Sequence, residues 1–208
     1  MKIIVLANQK GGVGKTTLAG HLSVQASLMD KTAILDTDPQ ASLSEWWNAR
    51  ESSLPLFASA NIDFLKDAIT ELRNDGVKYL LIDTPPAVTE TIRKVVEHAD
   101  LVVIPTRPGP HDLRAVGKTI DLVNECGKRM VFVINGAAHR ARITADAAVA
   151  LSQHGAVSPT IIYQRTDFAA SMVDGRTVME LDERSKSSTD IAELWNYVNA
   201  YLLKGGRK

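Results

Sequence analysis

The chain has one cysteine, Cys126, among its 208 residues. A single thiol forms no intramolecular disulfide, and no cysteine-based metal cluster fits within one chain. An iron–sulfur cluster bridging two copies would need two cysteines from each. Cys126 falls late in a helical pattern and reads as a small buried apolar side chain. Net charge is missing as well, since 24 Lys and Arg balance 24 Asp and Glu. Any binding to nucleic acid must then come from a local basic patch. No apolar run approaches the ~20 residues that span a bilayer. The amino terminus runs straight into a strand pattern with no signal peptide, so a cytoplasmic protein is expected. Internal repeats and low-complexity linkers are absent. The length makes one domain over residues 1–208 the default. A hydrophobic content of 45% and a charged content of 23% are those of an ordinary globular protein with a substantial core.

What the chain does have is the stretch Lys10, Gly11, Gly12, Val13, Gly14, Lys15, Thr16, Thr17. It follows the apolar run Ile3, Ile4, Val5, Leu6, Ala7 and leads into a helical pattern near Lys15. Strand, glycine loop and helix are the context of a phosphate-binding loop. Glycines let backbone N–H groups close on phosphate oxygens. The helix that follows turns its unpaired N–H groups and positive dipole end toward the same anion. Lys15 is expected to reach the β- and γ-phosphates, and the Thr16 hydroxyl to ligate Mg²⁺.

Two further acidic strand ends follow. Residues 32 to 36 read as a second strand, and Asp36, Thr37, Asp38, Pro39 and Gln40 end it. Open α/β sheets bind ligands at such carboxyl ends. Asp38 is placed to orient an attacking water, and Asp36 to hold a water on Mg²⁺. Residues 78 to 83 form an apolar strand finishing in Asp83, expected to meet Mg²⁺ through water. Thr84, Pro85 and Pro86 make a stiff segment after it.

The remaining pattern alternates strands and helices. Helices are expected near Trp46 and Trp47, from Phe64 to Leu72, and over residues 89–98, 112–126, 143–154 and 189–203. Strands are expected over residues 56–58, 101–104, 130–134 and 160–163. In the first helix Leu18, Leu22, Gln25 or Ala26, and Met29 share a face. In the last, Ile191, Leu194, Trp195, Val198 and Leu202 face inward, with Asp190, Glu193, Asn196 and Asn199 outward. Three prolines between residues 105 and 110 predict an extended loop. His111 reads as a helix-start or surface residue. The fold class is α/β, a P-loop NTPase with a mostly parallel twisted sheet and helices on both faces.

The loop from Lys10 to Thr17 resembles the deviant Walker A box of the ParA/MinD superfamily of ATPases. The Asp36 to Gln40 run resembles its Walker A′ motif, and the strand ending in Asp83 its Walker B motif. The resemblance covers nearly the whole chain. It implies ATP/ADP and Mg²⁺ as ligands, with Lys10, Lys15 and Asp38 catalytic. Gly11, Gly12, Val13, Gly14, Lys15, Thr16 and Thr17 would cradle the nucleotide, and Thr16, Asp36 and Asp83 would serve the metal. Asn135, at a strand end, resembles the adenine-contacting position; the guanine-reading Asn-Lys-x-Asp pattern is absent. Gly109 stands where the family suggests a serine. Lys10 would cross a dimer interface to the partner's nucleotide.

The closest branch by motif is the small plasmid-type ParA proteins, which lack an amino-terminal helix-turn-helix domain. Their implied partners are a second copy in the ATP state, a ParB-type adaptor and nonspecific DNA, giving a nucleoid-associated protein. Arg165, Arg184 and Lys186, with Arg176, are the implied DNA-binding residues, in or near loops. A membrane-surface helix would carry Lys and Arg on its polar face. The last helix does not, and Lys204, Arg207 and Lys208 lie past its end. The alternatives are a related ATPase that positions a protein cargo and, on the same scaffold, a metabolic ATP-dependent enzyme. No additional clustered acid, base or thiol supports the latter.

Overall fold

The apolar run before the glycine loop forms strand β1 (Lys2–Leu6), in the middle of the sheet. The computed structural model describes residues 1–60, 62–87 and 89–204. After β1 come α1 (Lys15–Ser27), β2 (Thr32–Asp36), α2 (Ser42–Asn48), β3 (Leu56–Ala58) and α3 (Leu65–Asn74). Then follow β4 (Tyr79–Asp83), α4 (Glu90–Glu97), β5 (Leu101–Thr106), α5 (Pro110–Ala115) and α6 (Gly117–Glu125). The second half has β6 (Met130–Ala137), α7 (Ile143–Ser152), β7 (Ala156–Val157) and β8 (Ile162–Tyr163). It ends with α8 (Thr166–Ser171), α9 (Val178–Leu181) and α10 (Lys186–Lys204).

The strands lie in the order β3-β2-β4-β1-β5-β6-β7, and β8 also pairs with β6. Every recorded pairing is parallel. The long strand β6 takes two short partners in tandem: β7 beside Val131 and Phe132, β8 beside Asn135 and Ala137. Parallel strands need crossover helices, which bury both sheet faces. Alternate residues therefore feed two cores. Ile4, Leu6, Ile34, Leu81, Val103 and Val133 pack under α1, α2 and α10. Ile3, Val5, Leu35, Ile82, Val102 and Phe132 pack under α3, α4, α6 and α7. Each fully buried aliphatic side chain stabilises the fold by about 1.5–3 kcal/mol relative to exposure.

Helix ends follow their local chemistry. Thr89 caps α4, accepting from the Ile92 N–H at 3.4 Å. Ser185 caps α10, with Oγ accepting from the Ser188 N–H at 3.1 Å. That cap starts α10 at Lys186, three residues before the expected Thr189. The expected helix over 112–126 is two helices. Pro110 starts α5 early, because its ring presets φ for a first helical position. Val116 separates α5 from α6, followed by Gly117, a poor helix residue. The expected proline-rich loop shrinks accordingly, with Pro105 inside β5 and Pro110 inside α5.

Three expectations about faces are corrected. Met29 is 67% exposed rather than inward, because α1 ends at Ser27 and the helical phase stops there. Asp190 turns in to Arg165, at 2.5 Å. Asn199 accepts from the Tyr79 hydroxyl at 2.9 Å. Cys126 is half-buried at the end of α6, and its partial burial raises the thiol's pKa. Arg207 and Lys208 lie outside the described residues. No helix among the described residues is long and apolar enough to cross a membrane.

Candidate functional site

Parallel pairing brings the three motifs together. Leu6 at the end of β1 is in register with Asp83 at the end of β4, and Asp83 with Asp36 at the end of β2. The loop after β1 therefore arches over two acidic strand ends at the carboxyl edge of the sheet.

The loop is shaped by backbone conformation. Gly12 and Gly14 have φ of +70° and +94°, in the left-handed region. A Cβ on Gly14 would stand 2.2 Å from Asn135 Nδ2, which itself donates to the Val13 carbonyl at 2.6 Å. Gly11 has no positive φ, and a Cβ there would meet Pro86 at an ordinary 3.8 Å. Only two of the three loop glycines therefore carry the conformational requirement. Val13 is buried beneath the loop.

Lys15 starts α1 with its side chain folded back under the loop. Nζ donates to the Lys10 carbonyl at 3.4 Å, and the residue is 6% exposed. Burial lowers its pKa, opposed by the charges of Asp83 and Asp38. Thr16 Oγ1 donates to Asp83 Oδ2 at 2.5 Å. Asp83 is 1% exposed, and burial pushes its carboxyl up to about 7, against the Thr16 hydrogen bond. The Thr84 N–H donates to Asp83 Oδ1 at 3.0 Å. A buried carboxylate costs heavily unless charge and donors meet it, and here a hydroxyl and a backbone N–H donate to it while the Lys15 charge favours its ionised form.

Asp36 is committed within its own turn. Oδ1 accepts from the Asp38 N–H at 3.0 Å, and Oδ2 from the Ser44 N–H at 2.9 Å and hydroxyl at 3.1 Å. Asp38 Oδ1 accepts from the Gln40 N–H at 2.9 Å. Lys10 Nζ lies 2.9 Å from Asp112 Oδ1, on α5. Asp112 was not among the residues expected at the site. The space beside Gly109 is also narrowed by this carboxylate, 3.0 Å from where a Cβ would stand.

Two cavities meet at the loop. One, of 560 Å³, is lined by the loop glycines, Lys15, Thr16, Thr17 and Asp38. It extends past them to Glu45, Trp46, Ala49, Met172 and Val173. The other, of 320 Å³, is lined by Gly12, Gly14, Thr17, Asn135, Tyr163 and Arg165, among others. Gly12, Gly14 and Thr17 belong to both. The larger cavity thus holds the loop and Lys15, and the smaller one Asn135 and the Tyr163 ring. Among the described residues no three His, Cys, Asp or Glu side chains converge as a metal cage. Thr16 Oγ1 and the Asp83 carboxylate, hydrogen-bonded beside the loop, are oxygens of the kind Mg²⁺ takes alongside its waters and phosphate.

Trp46 and Trp47 pack as expected, with Trp46 Nε1 donating to the Arg176 carbonyl and Trp47 Nε1 to the Pro55 carbonyl. Trp46 also walls the larger cavity, as do Met172 and Val173, for which the sequence carries no local signal. The basic residues expected to meet DNA are scattered. Arg165 is ion-paired with Asp190 and lies over the Tyr163 ring. Arg176 is paired with Asp174. Arg184 and Lys186 are exposed beside Asp182 and Glu183.

Comparison with known proteins agrees with this geometry. A protein from Halothiobacillus neapolitanus, maintenance of carboxysome distribution protein A, is 26% identical over 198 residues, spanning 90% of this chain and 91% of that protein. Protein ParA of Rhizobium radiobacter is 30% identical over 130 residues, spanning 60% of this chain and 57% of that one. The fold matches septum site-determining protein MinD from Pyrococcus horikoshii, solved with Mg-ADP, with a TM-score of 0.80 at 17% identity. That match covers 100% of this chain and 99% of the other. The model of the CobQ/CobB/MinD/ParA nucleotide binding domain matches residues 4–178. With that match over most of its length, and with the glycine loop and two acidic strand ends closing on one cavity, the chain belongs to the ParA/MinD family of nucleotide-binding proteins.

Proposed function

We propose that this chain is an ATP hydrolase whose nucleotide state switches it between a single copy and a pair, and that the pair holds a matrix of nonspecific DNA. The observation that supports this most is the placement of two lysines. Lys15 lines the larger cavity, with Nζ on the Lys10 carbonyl, and Lys10 lies at the start of the loop, its side chain 37% exposed. One cation serves the phosphates of its own site, and the other is free to reach across to a second copy once Asp112 lets go.

In this reading the backbone N–H groups of residues 11 to 17 hold the phosphates, and Asn135 and its chamber hold adenine. Lys15 neutralises charge on the β- and γ-phosphates. Asp38 orients the attacking water by hydrogen bonding. Thr16 and Asp83 would hold Mg²⁺ and its waters, with Asp36, itself fixed by the Asp38 and Ser44 N–H groups, accepting from a metal-bound water, and the ion would supply charge neutralisation at the transferred phosphoryl group. Lys10 of each copy acts on the partner's nucleotide as an arginine finger does. Pairing follows because ATP contacts the paired state better than the single one. Hydrolysis removes those contacts, and a ParB-type adaptor would accelerate it.

The cargo is a replicon or a protein assembly. The full-length likeness to a carboxysome-distribution protein favours a protein cargo; the shorter likeness to ParA favours partition.

Sedimentation of the full chain with Mg²⁺ and a non-hydrolysable ATP analogue tests the switch. The wild type is expected to pair. Lys10→Ala is expected to bind nucleotide within about threefold of wild type, stay single, and lose hydrolysis by roughly 100-fold or more. A wild type that stays single at saturating analogue overturns the reading. ATP turnover that requires an added small molecule would favour the metabolic alternative.

A further inference from the structure

Five basic side chains gather at one corner of the sheet. Arg107 follows β5, and Arg114 lies on α5. His139, Arg140 and Arg142 lie in the loop between β6 and α7. All five are exposed, and none makes an ion pair among the described residues. Paired strands bring them together. Thr106 of β5 is in register with Ile134 of β6, so the two loops leave the sheet side by side. Arg107 lies across Gly136, with Nε 3.6 Å from where a Cβ would stand. Helices α5 and α7 touch. His139 stacks on Tyr163, with ring centroids 5.2 Å apart.

The carboxylates on these elements do not cancel this charge. Asp112 is engaged by Lys10, which leaves Asp146 in the first turn of α7. Arg140 holds a φ of +59°, uncommon for a residue with a side chain. An outlier of this kind is a reason to look for function. By contrast, Arg165 and Arg176 are already paired with Asp190 and Asp174, and Arg184 and Lys186 stand beside Asp182 and Glu183.

We infer that the loop of residues 138–142, with Arg107 and Arg114 beside it, is the surface that binds the phosphate backbone of duplex DNA. The inference rests on the proposed DNA matrix and moves its contact from the carboxyl-terminal segment to this corner. Four exposed guanidinium groups without ion-pair partners among the described residues present concentrated positive charge that matches the repeating anion of a nucleic-acid backbone. The corner borders the smaller cavity, because Arg107 lines that cavity too. Nucleotide occupancy and the DNA surface are therefore neighbours.

The test uses the full chain with Mg²⁺, a non-hydrolysable ATP analogue and a duplex of arbitrary sequence, across a salt series. Arg140→Ala/Arg142→Ala is expected to pair as the wild type does. Its DNA affinity is expected to fall by at least about tenfold, and its log–log salt slope by about 2. Arg140→Lys/Arg142→Lys is expected to restore most binding, because phosphate accepts a point charge. Arg184→Ala/Lys186→Ala is expected to stay within about twofold of wild type, since its charges stand among carboxylates. The inference is overturned if the 140/142 double variant binds DNA normally or if the 184/186 variant carries the loss. Loss of binding to anionic phosphatidylglycerol vesicles in place of DNA overturns it too. A wild type that pairs but ignores DNA in every nucleotide state removes the matrix and this surface together, whereas a wild type that never pairs is a failure of the proposed switch, read by sedimentation.

Discussion

Lys10 Nζ and Asp112 Oδ1 lie 2.9 Å apart within one chain. The carboxylate is the more enclosed partner, with its side chain 12% exposed against 37% for the lysine. A cation that serves a neighbouring copy must first leave this partner. In the proposed switch the pair therefore weighs on the side of the single chain.

Removing that weight should favour pairing. Asp112→Asn keeps the shape of the side chain and deletes its charge. A half-exposed ion pair is worth about 0.2–1 kcal/mol. Each copy gives up one such contact on pairing, so sedimentation with the ATP analogue should show the pairing constant tighten by about two- to thirtyfold. An unchanged or weaker constant would mean that the contact does not oppose pairing.

The loop's backbone gives a second expectation. Gly14→Ala forces a side chain into a left-handed position and pushes Asn135 off the Val13 carbonyl. The conformational cost is about 1–2 kcal/mol. Nucleotide affinity, measured by calorimetry, should fall by at least about tenfold. Gly11→Ala meets no such obstacle, and its thermal midpoint should stay near that of the wild type. Equal losses of stability in the two variants would show that the loop's shape does not depend on the residue at 14.

His21 links the loop helix to the chain beyond β8. Its Nδ1 hydrogen-bonds with the Thr17 carbonyl at 2.8 Å, and its Nε2 accepts from the Val178 N–H at 3.2 Å. The first contact requires a proton on Nδ1 and the second a bare Nε2, so the ring is neutral. Burial brings its pKa down to about 4. An unfolded chain takes up that proton near 6.5. Between these values the unfolded state binds more protons, so stability falls as pH drops from 6.5 toward 4. The contribution is on the order of 3 kcal/mol. His21→Gln should be less stable near neutrality, and its urea-unfolding free energy should fall less steeply from pH 7 to pH 4.5. Parallel pH profiles for the two proteins would rule this histidine out as the source.

Much of this was legible beforehand because it is local or strongly periodic. The glycine loop, the two acidic strand ends and the alternation of strands and helices need only short windows of sequence, and they form the candidate site. Distant pairing hid the rest. Arg165 reads as a free basic residue until α10 brings Asp190 to it across 25 positions. Asp112 gives no sign that it faces Lys10. Strand β7, two residues long, is too short for any period. Some misses were avoidable. Thr177 and Glu180 have the spacing of a capping box, and the Thr177 N–H does donate to the Glu180 carboxylate at 2.8 Å. Ser185, ahead of Lys186, is an ordinary helix start.

Two of the three tryptophans are buried, Trp46 at the cavity wall and Trp195 in the interior, while Trp47 is half-buried against Phe57. Trp46 borders the space beside the phosphate loop, while Trp195 is 1% exposed and meets the edge of Tyr79 at 5.0 Å. The molecule thus carries its own optical gauge for the proposed ligand: emission from Trp46 is expected to change when the cavity fills, over a background from Trp47 and Trp195. No dye need be attached to follow nucleotide arrival and departure in real time.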